Sequence, residues 1–130
     1  MARVALRAFP VLYARDVELV AGFYAALGFE EHFRMAREDG QAGYIGLERD
    51  GAELAVTTEE SPRALAGVEP GAGPRHELFV YVDDVDAALI GLGGTGVTIL
   101  REPADMPWGE RLAFVTDPEG NIVALARTAA

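Results

Sequence analysis

Leu12-Tyr13-Ala14-Arg15-Asp16-Val17-Glu18 returns 68 positions later as Val80-Tyr81-Val82-Asp83-Asp84-Val85-Asp86. The same offset holds without a gap from Tyr13/Tyr81 through Asp16/Asp84 and Val17/Val85 to Gly28/Gly96 and Phe29/Val97. A shift that survives across a helix-length segment marks two equivalent supersecondary units.

Each unit reads alike. Phe9-Pro-Val-Leu-Tyr-Ala and Glu77-Leu-Phe-Val-Tyr-Val are strand-like. Asp16 and Asp84 follow where a helix N-cap belongs, able to accept from free N–H groups of the first turn. Val17, Val20, Phe23, Tyr24 and Leu27 form an i, i+3, i+4 stripe, and Val85, Ala88, Leu89 and Leu92 a second one. Gly28 and Gly96 suit the left-handed position that ends a helix.

Three strands follow each helix. They are expected at about 29–37, 42–49 and 52–58, then at about 97–101, 111–116 and 121–127. Glu38-Asp39-Gly40, Asp50-Gly51 and Asp117-Pro118-Glu119-Gly120-Asn121 supply the turns. The expected fold is α+β: two βαβββ modules, about 4–58 and 75–127, whose mixed, curved sheets form a cavity within a single domain over 1–130. Ser61 to Pro74, with three Pro and three Gly, reads as the heart of a linker over about 59–74.

Strand parity assigns faces. Leu78, Val80 and Val82 make one side aliphatic and ready to pack on helices. Glu77, Phe79 and Tyr81 form the other side, and the repeat puts Phe9, Val11 and Tyr13 on its counterpart. That second face is covered either by the sister sheet or by a ligand.

Composition removes whole classes of chemistry. The 130 residues contain no Cys, which excludes disulfides, thiolate nucleophiles and thiolate metal sites. All eleven basic residues are Arg, so a Schiff-base lysine is excluded. The net charge of −10 disfavours nucleic acid and is compatible with a cationic ligand, although acidic surfaces mainly confer solubility. No apolar run is long enough for a membrane span, and the N-terminus does not read as a signal peptide, so a cytoplasmic location is expected.

The βαβββ repeat, the Tyr-x-x-Asp-Val starts and the ending Trp108-Gly109-Glu110-Arg111 … Phe114-Val115-Thr116-Asp117-Pro118-Glu119-Gly120-Asn121 together resemble the vicinal oxygen chelate superfamily. That superfamily includes glyoxalase I, extradiol dioxygenases, fosfomycin-resistance enzymes and bleomycin-resistance proteins. The resemblance runs from about Ala8 to Ala126. It implies a homodimer whose cavities mix modules from both chains, and four metal-ligand slots at Phe9, Ala55, Glu77 and Ala124. Three of these four side chains offer no donor atom, and one Glu does not hold a divalent cation. The pattern is therefore nearest to the bleomycin-resistance branch, which sequesters a ligand without metal chemistry. The leading expectation is a small-molecule-binding protein of that type, with no cofactor and no metal, taking an aromatic or cationic compound. The alternatives are a lyase, isomerase or dioxygenase with an unusual metal site, and a structural or regulatory module whose cavity is filled by its own side chains.

Candidate binding residues follow. Tyr13, Phe33, Tyr44, Phe79, Trp108 and Phe114 could line a slot for a planar ligand or simply be core. Trp108, in turn-like Pro107-Trp108-Gly109, is read as a binding residue on a loop. Glu77 is read either as a carboxylate facing a cationic ligand or as a structural partner of an arginine such as Arg111. His76 neighbours Glu77 and points to the opposite face, as an edge or surface residue, and His32 carries no specific signal. No catalytic residue is assigned. Since Phe9, Ala55 and Ala124 cannot bind metal, dialysis against a chelator should leave the melting temperature unchanged. A drop of several degrees, restored by one specific divalent ion, would overturn this.

Overall fold

A computed structural model of the chain describes residues 7–128. The first few residues assigned to module one, 4–6, and most of the N-terminal segment read for a signal peptide lie outside the described residues. The chain runs β1 (Val11–Ala14), α1 (Val17–Ala25), β2 (Glu30–Ala36), β3 (Ala42–Arg49), β4 (Ala52–Thr58), α2 (Glu60–Ala66), β5 (Glu77–Tyr81), α3 (Val85–Gly91), β6 (Thr98–Asp105), β7 (Arg111–Thr116) and β8 (Ile122–Arg127). Sheet A has strand order β1-β4-β3-β2 and sheet B has the matching order β5-β8-β7-β6. In each, the first strand pairs parallel with the last and the other pairs are antiparallel. The fold is α+β, as the repeat requires.

The register carries the repeat into three dimensions. Val11, Ala55, Gly46 and Phe33 lie side by side across sheet A. Phe79, Ala124, Phe114 and Arg101 do so across sheet B. Both N-caps form as the sequence implies: Leu19 N–H donates to Asp16 at 3.1 Å and Ala87 N–H to Asp84 at 3.0 Å.

Two elements differ from expectation. The segment read as linker contains α2, closed by Gly67 at φ 68°. Pro62 sits in its first turn, where a missing N–H costs nothing, so the Pro-rich composition starts a helix there. Strand β6 runs on to Asp105 through two register irregularities, the second of which, between Arg101 and Ala104, takes in Pro103.

The core is one cluster drawn from both halves. Leu12, Ile45, Leu47, Leu54 and Val56 of sheet A join Val80, Val115, Val123 and Leu125 of sheet B, with Phe23 and Tyr24 of α1 among them. Leu78 and Val82 pack on this cluster, so the aliphatic parity of β5 is the helix-facing side.

The Asp117–Asn121 turn ties the halves together. Asp117 is 2% exposed and accepts from Tyr24 O–H at 2.7 Å, Glu119 N–H at 2.9 Å, Asn121 N–H at 3.0 Å and Asn121 Nδ2 at 3.1 Å. Burial and this carboxylate push the Tyr24 hydroxyl far above its ordinary range, so it is a permanent donor. Around the turn, Glu119 accepts from Arg15 N–H at 3.0 Å and from Arg75 at 3.4 Å, and Asn121 accepts from Arg75 N–H at 3.1 Å. Tyr24→Phe deletes one hydrogen bond to a buried carboxylate and should lower unfolding free energy by about 1.5–3 kcal/mol. A urea titration checks this; an unchanged midpoint would mean the contact is dispensable.

Candidate functional site

The core-facing sides of β1, β3, β4, β5, β7 and β8 are aliphatic, and this leaves the opposite face of each sheet outward. Val11, Phe33 and Met35 on sheet A are 41%, 48% and 57% exposed, and Phe79 and Tyr81 on sheet B 45% and 46%. The sister sheet therefore does not cover these faces within one chain, because the shared core and the helices fill the space between the sheets. The ten candidate residues accordingly fall into two groups of five. Phe9, Tyr13, Phe33, Tyr44 and Ala55 belong to sheet A and its leading segment; Glu77, Phe79, Trp108, Phe114 and Ala124 belong to sheet B and its loop. Within a single chain the two groups lie on different sheets.

On sheet A, four of the five meet. Phe9, Phe33, Tyr44 and Ala55 line a pocket of about 340 Å³ together with Met35 and Gly46. The Phe33 and Tyr44 rings meet edge to face, 5.8 Å apart. Ala55 is 1% exposed and forms part of the floor. Tyr13 is set apart: the Arg75 guanidinium lies 5.9 Å from its ring centroid.

Arg7, His32 and Glu53 complete this pocket, and the sequence carries no specific signal for any of the three. Arg7 Nε donates to Glu53 Oε2 at 2.9 Å, its Nη2 pairs with Oε1, and its guanidinium lies 5.2 Å from the Phe9 ring centroid. This guanidinium holds the Glu53 carboxyl below the usual carboxylate range. His32 Nε2 lies 3.6 Å from Glu53 Oε1. Parity puts Glu53 on the face of Ala55, two positions on. It does not place His32, because a bulge decides which way that side chain points.

On sheet B, Phe79 and Tyr81 lie with ring centroids 5.7 Å apart. Tyr81 O–H donates to Glu110 at 2.7 Å and Trp108 Nε1–H donates to the other oxygen of the same carboxylate at 2.8 Å. These two donors, Tyr81 first, hold Glu110 below the usual carboxylate range. Trp108 stands 62% exposed on the Met106–Gly109 turn, as its loop position implies. Phe114 is half-buried and Ala124 fully buried in the middle of the sheet.

Glu77 is exposed at the start of β5 and forms no salt bridge among the described residues. Arg111, offered as its structural partner, instead pairs with Asp86 at 2.8 Å and Asp105 at 3.1 Å. His76 is half-buried on the opposite side, its Nε2 buried without a partner, and burial pushes its imidazole below the ordinary range. It stands at the sheet edge, just before the edge strand β5. A larger cleft of about 560 Å³ lies beside the start of α1, but its arginines are engaged: Arg34 with Glu18 and Glu31, Arg37 with Asp39 and Arg15 with Glu119.

The family's metal does not fit this donor set. The four slots hold two alanines, a phenylalanine and one carboxylate, split between the two sheets. Among the described residues no three His, Cys, Asp or Glu side chains are grouped to hold an ion.

Residues 5–125 match the family model of the Glyoxalase/Bleomycin resistance protein/Dioxygenase superfamily. A putative glyoxylase, CFP32, of Mycobacterium tuberculosis is 30% identical over 112 residues, which cover 86% of this chain. The matched region spans 40% of the length of that curated relative. The crystal structure of a glyoxalase-related enzyme from Fulvimarina pelagi superposes with a TM-score of 0.79 at 25% identity, covering 96% of this chain and 89% of that one. A bleomycin resistance determinant encoded on transposon Tn5 superposes with a TM-score of 0.62 at 25% identity, covering 97% and 100%. With its paired modules, its terminal Asp117–Asn121 turn and this match along nearly its whole length, the chain belongs to the glyoxalase/bleomycin resistance protein/dioxygenase superfamily.

Proposed function

We propose that this protein binds a small, flat, partly aromatic molecule by contact rather than by metal chemistry, with resistance-type sequestration as one form of that role. The observation that carries the reading is the pair of outward aromatic faces, Phe33 and Met35 on one sheet and Phe79, Tyr81 and Trp108 on the other, each about half exposed or more. Exposed apolar surface of this kind marks an interaction site. The family membership and the likeness to a bleomycin resistance determinant support it.

A second copy of the chain completes the site. The sheet A face of one protomer and the sheet B face of its partner together enclose the ligand. Glu77 and Glu110 give the sheet B side a negative edge that suits a cationic substituent, and Trp108 stacks on the ring.

Sedimentation at micromolar concentration should show a dimer; a monomer would remove the shared cavity. A thermal-shift screen of cationic and neutral aromatics should yield hits of both kinds. Trp108→Ala should weaken all of them, by about 0.5–1.5 kcal/mol beyond lost area. Glu77→Gln keeps the shape and removes the charge, so cationic hits should lose about 2–5 kcal/mol while neutral hits hold. If every hit ignores Glu77→Gln, that carboxylate has no part in recognition.

A further inference from the structure

The pocket on sheet A has a polar edge that the metal pattern of the family does not supply. In β2, Glu31 pairs with Leu47 and Phe33 with Gly46, which leaves His32 as the extra residue of a β-bulge. A bulge re-aims a side chain, and here it puts the imidazole on the pocket side, next to Phe33. Gly46 makes room for it. A Cβ at that position would stand 3.3 Å from His32 Nε2 and 3.4 Å from its Cε1. The imidazole thus lies against bare backbone in the middle of the sheet.

The charges around it have an order. Glu53 is the one carboxylate lining the pocket, and Arg7 engages both its oxygens. The charged and titratable groups facing His32 are therefore Glu53 from β4, Arg7 from the segment before β1, and Tyr44 from β3. With His32 Nε2 turned to Glu53, what remains for a ligand is Nη1 of Arg7, Nδ1 of His32 and the Tyr44 hydroxyl, none of which has a hydrogen-bond partner among the described residues. All three can donate. Beside them stand Phe33 and the Tyr44 ring. We propose that this edge binds the carboxylate of an aromatic acid, with the acid's ring against Phe33 and Tyr44. A guanidinium is suited to planar carboxylates, and the new charge would alternate with Arg7 and Glu53 instead of opposing a free anion. At about 340 Å³ the pocket admits a molecule of one or two rings. The inference rests on the reading of this face as a ligand face. Set against Glu77 and Glu110 of a partner's sheet B, it makes the whole ligand amphoteric, acidic at one end and cationic at the other.

The test is calorimetric titration of the full chain with 2-naphthoate and with its methyl ester, which has the same rings and no charge. Naphthoate should bind about ten-fold tighter than the ester or more. In His32→Leu and in Arg7→Met the two probes should converge to within about three-fold, with the ester's affinity unchanged. Gly46→Ala, which crowds the imidazole, and His32→Gln, which keeps a polar group, should each give part of that loss; they stand in if His32→Leu does not fold. Equal binding of the two probes to the unaltered protein, or a preference that persists in His32→Leu, overturns the carboxylate site and leaves the aromatic-ligand reading standing. Binding of neither probe overturns both.

Discussion

The Asp117 carboxylate is the constraint on which the rest of this architecture depends. A buried charge is tolerable only when its lone pairs are occupied. Here they are, by the Tyr24 hydroxyl, two backbone amides of its own turn and the Asn121 side chain. One of those partners comes from α1, in the other half of the chain. The turn then extends its reach through Glu119 to Arg15 and through Asn121 to Arg75. Five residues in the last hairpin thereby hold together module one, the end of the connecting segment and module two. Tyr24 is wholly buried and meets Phe23 and Phe29 edge to face, so the polar latch is anchored inside the apolar cluster.

That latch has a consequence for the outer faces. Once the helix-facing sides of both sheets share one core, the opposite sides point away from it. Each then carries half-exposed aromatic side chains, with Arg7 and Arg75 over the Phe9 and Tyr13 rings on the sheet A side. The halves differ in chemistry despite their common register. Where sheet A has Val11 and Gly46, sheet B has Phe79 and Phe114. Sheet A keeps a pocket edged by Arg7 and His32, whereas sheet B presents a wall of aromatics fastened to Glu110. The two modules share their backbone register, and the side chains upon it make two chemically different surfaces.

Most of the fold was legible in the sequence because it depends on local periodicity. Asp16 and Asp84 cap their helices as read, the strands of module one fall within about a residue or two of expectation, and the parity of β5 points Val80 inward and Phe79 outward. Helix α2 was missed because Pro and Gly counts say nothing about position, and a proline in the first turn is compatible with a helix. The candidate site was legible in part. Phe9, Phe33, Tyr44 and Ala55 meet at one pocket, and Trp108 stands exposed on its turn.

By itself, then, the sequence determined the two modules, their caps, their strand faces and the lack of donor atoms at Phe9, Ala55 and Ala124, since each follows from residue type and spacing along the chain. Tertiary structure alone decided three things. It placed the two aromatic faces apart, because only packing tells which sides of two sheets share a core. It covered Tyr13 with Arg75 and gave Arg111 to Asp86 and Asp105 in place of Glu77, because long side chains choose partners across space. And it turned His32 toward Glu53 over Gly46, because a bulge inserts one residue into a period of two and reverses which side of the sheet that residue meets.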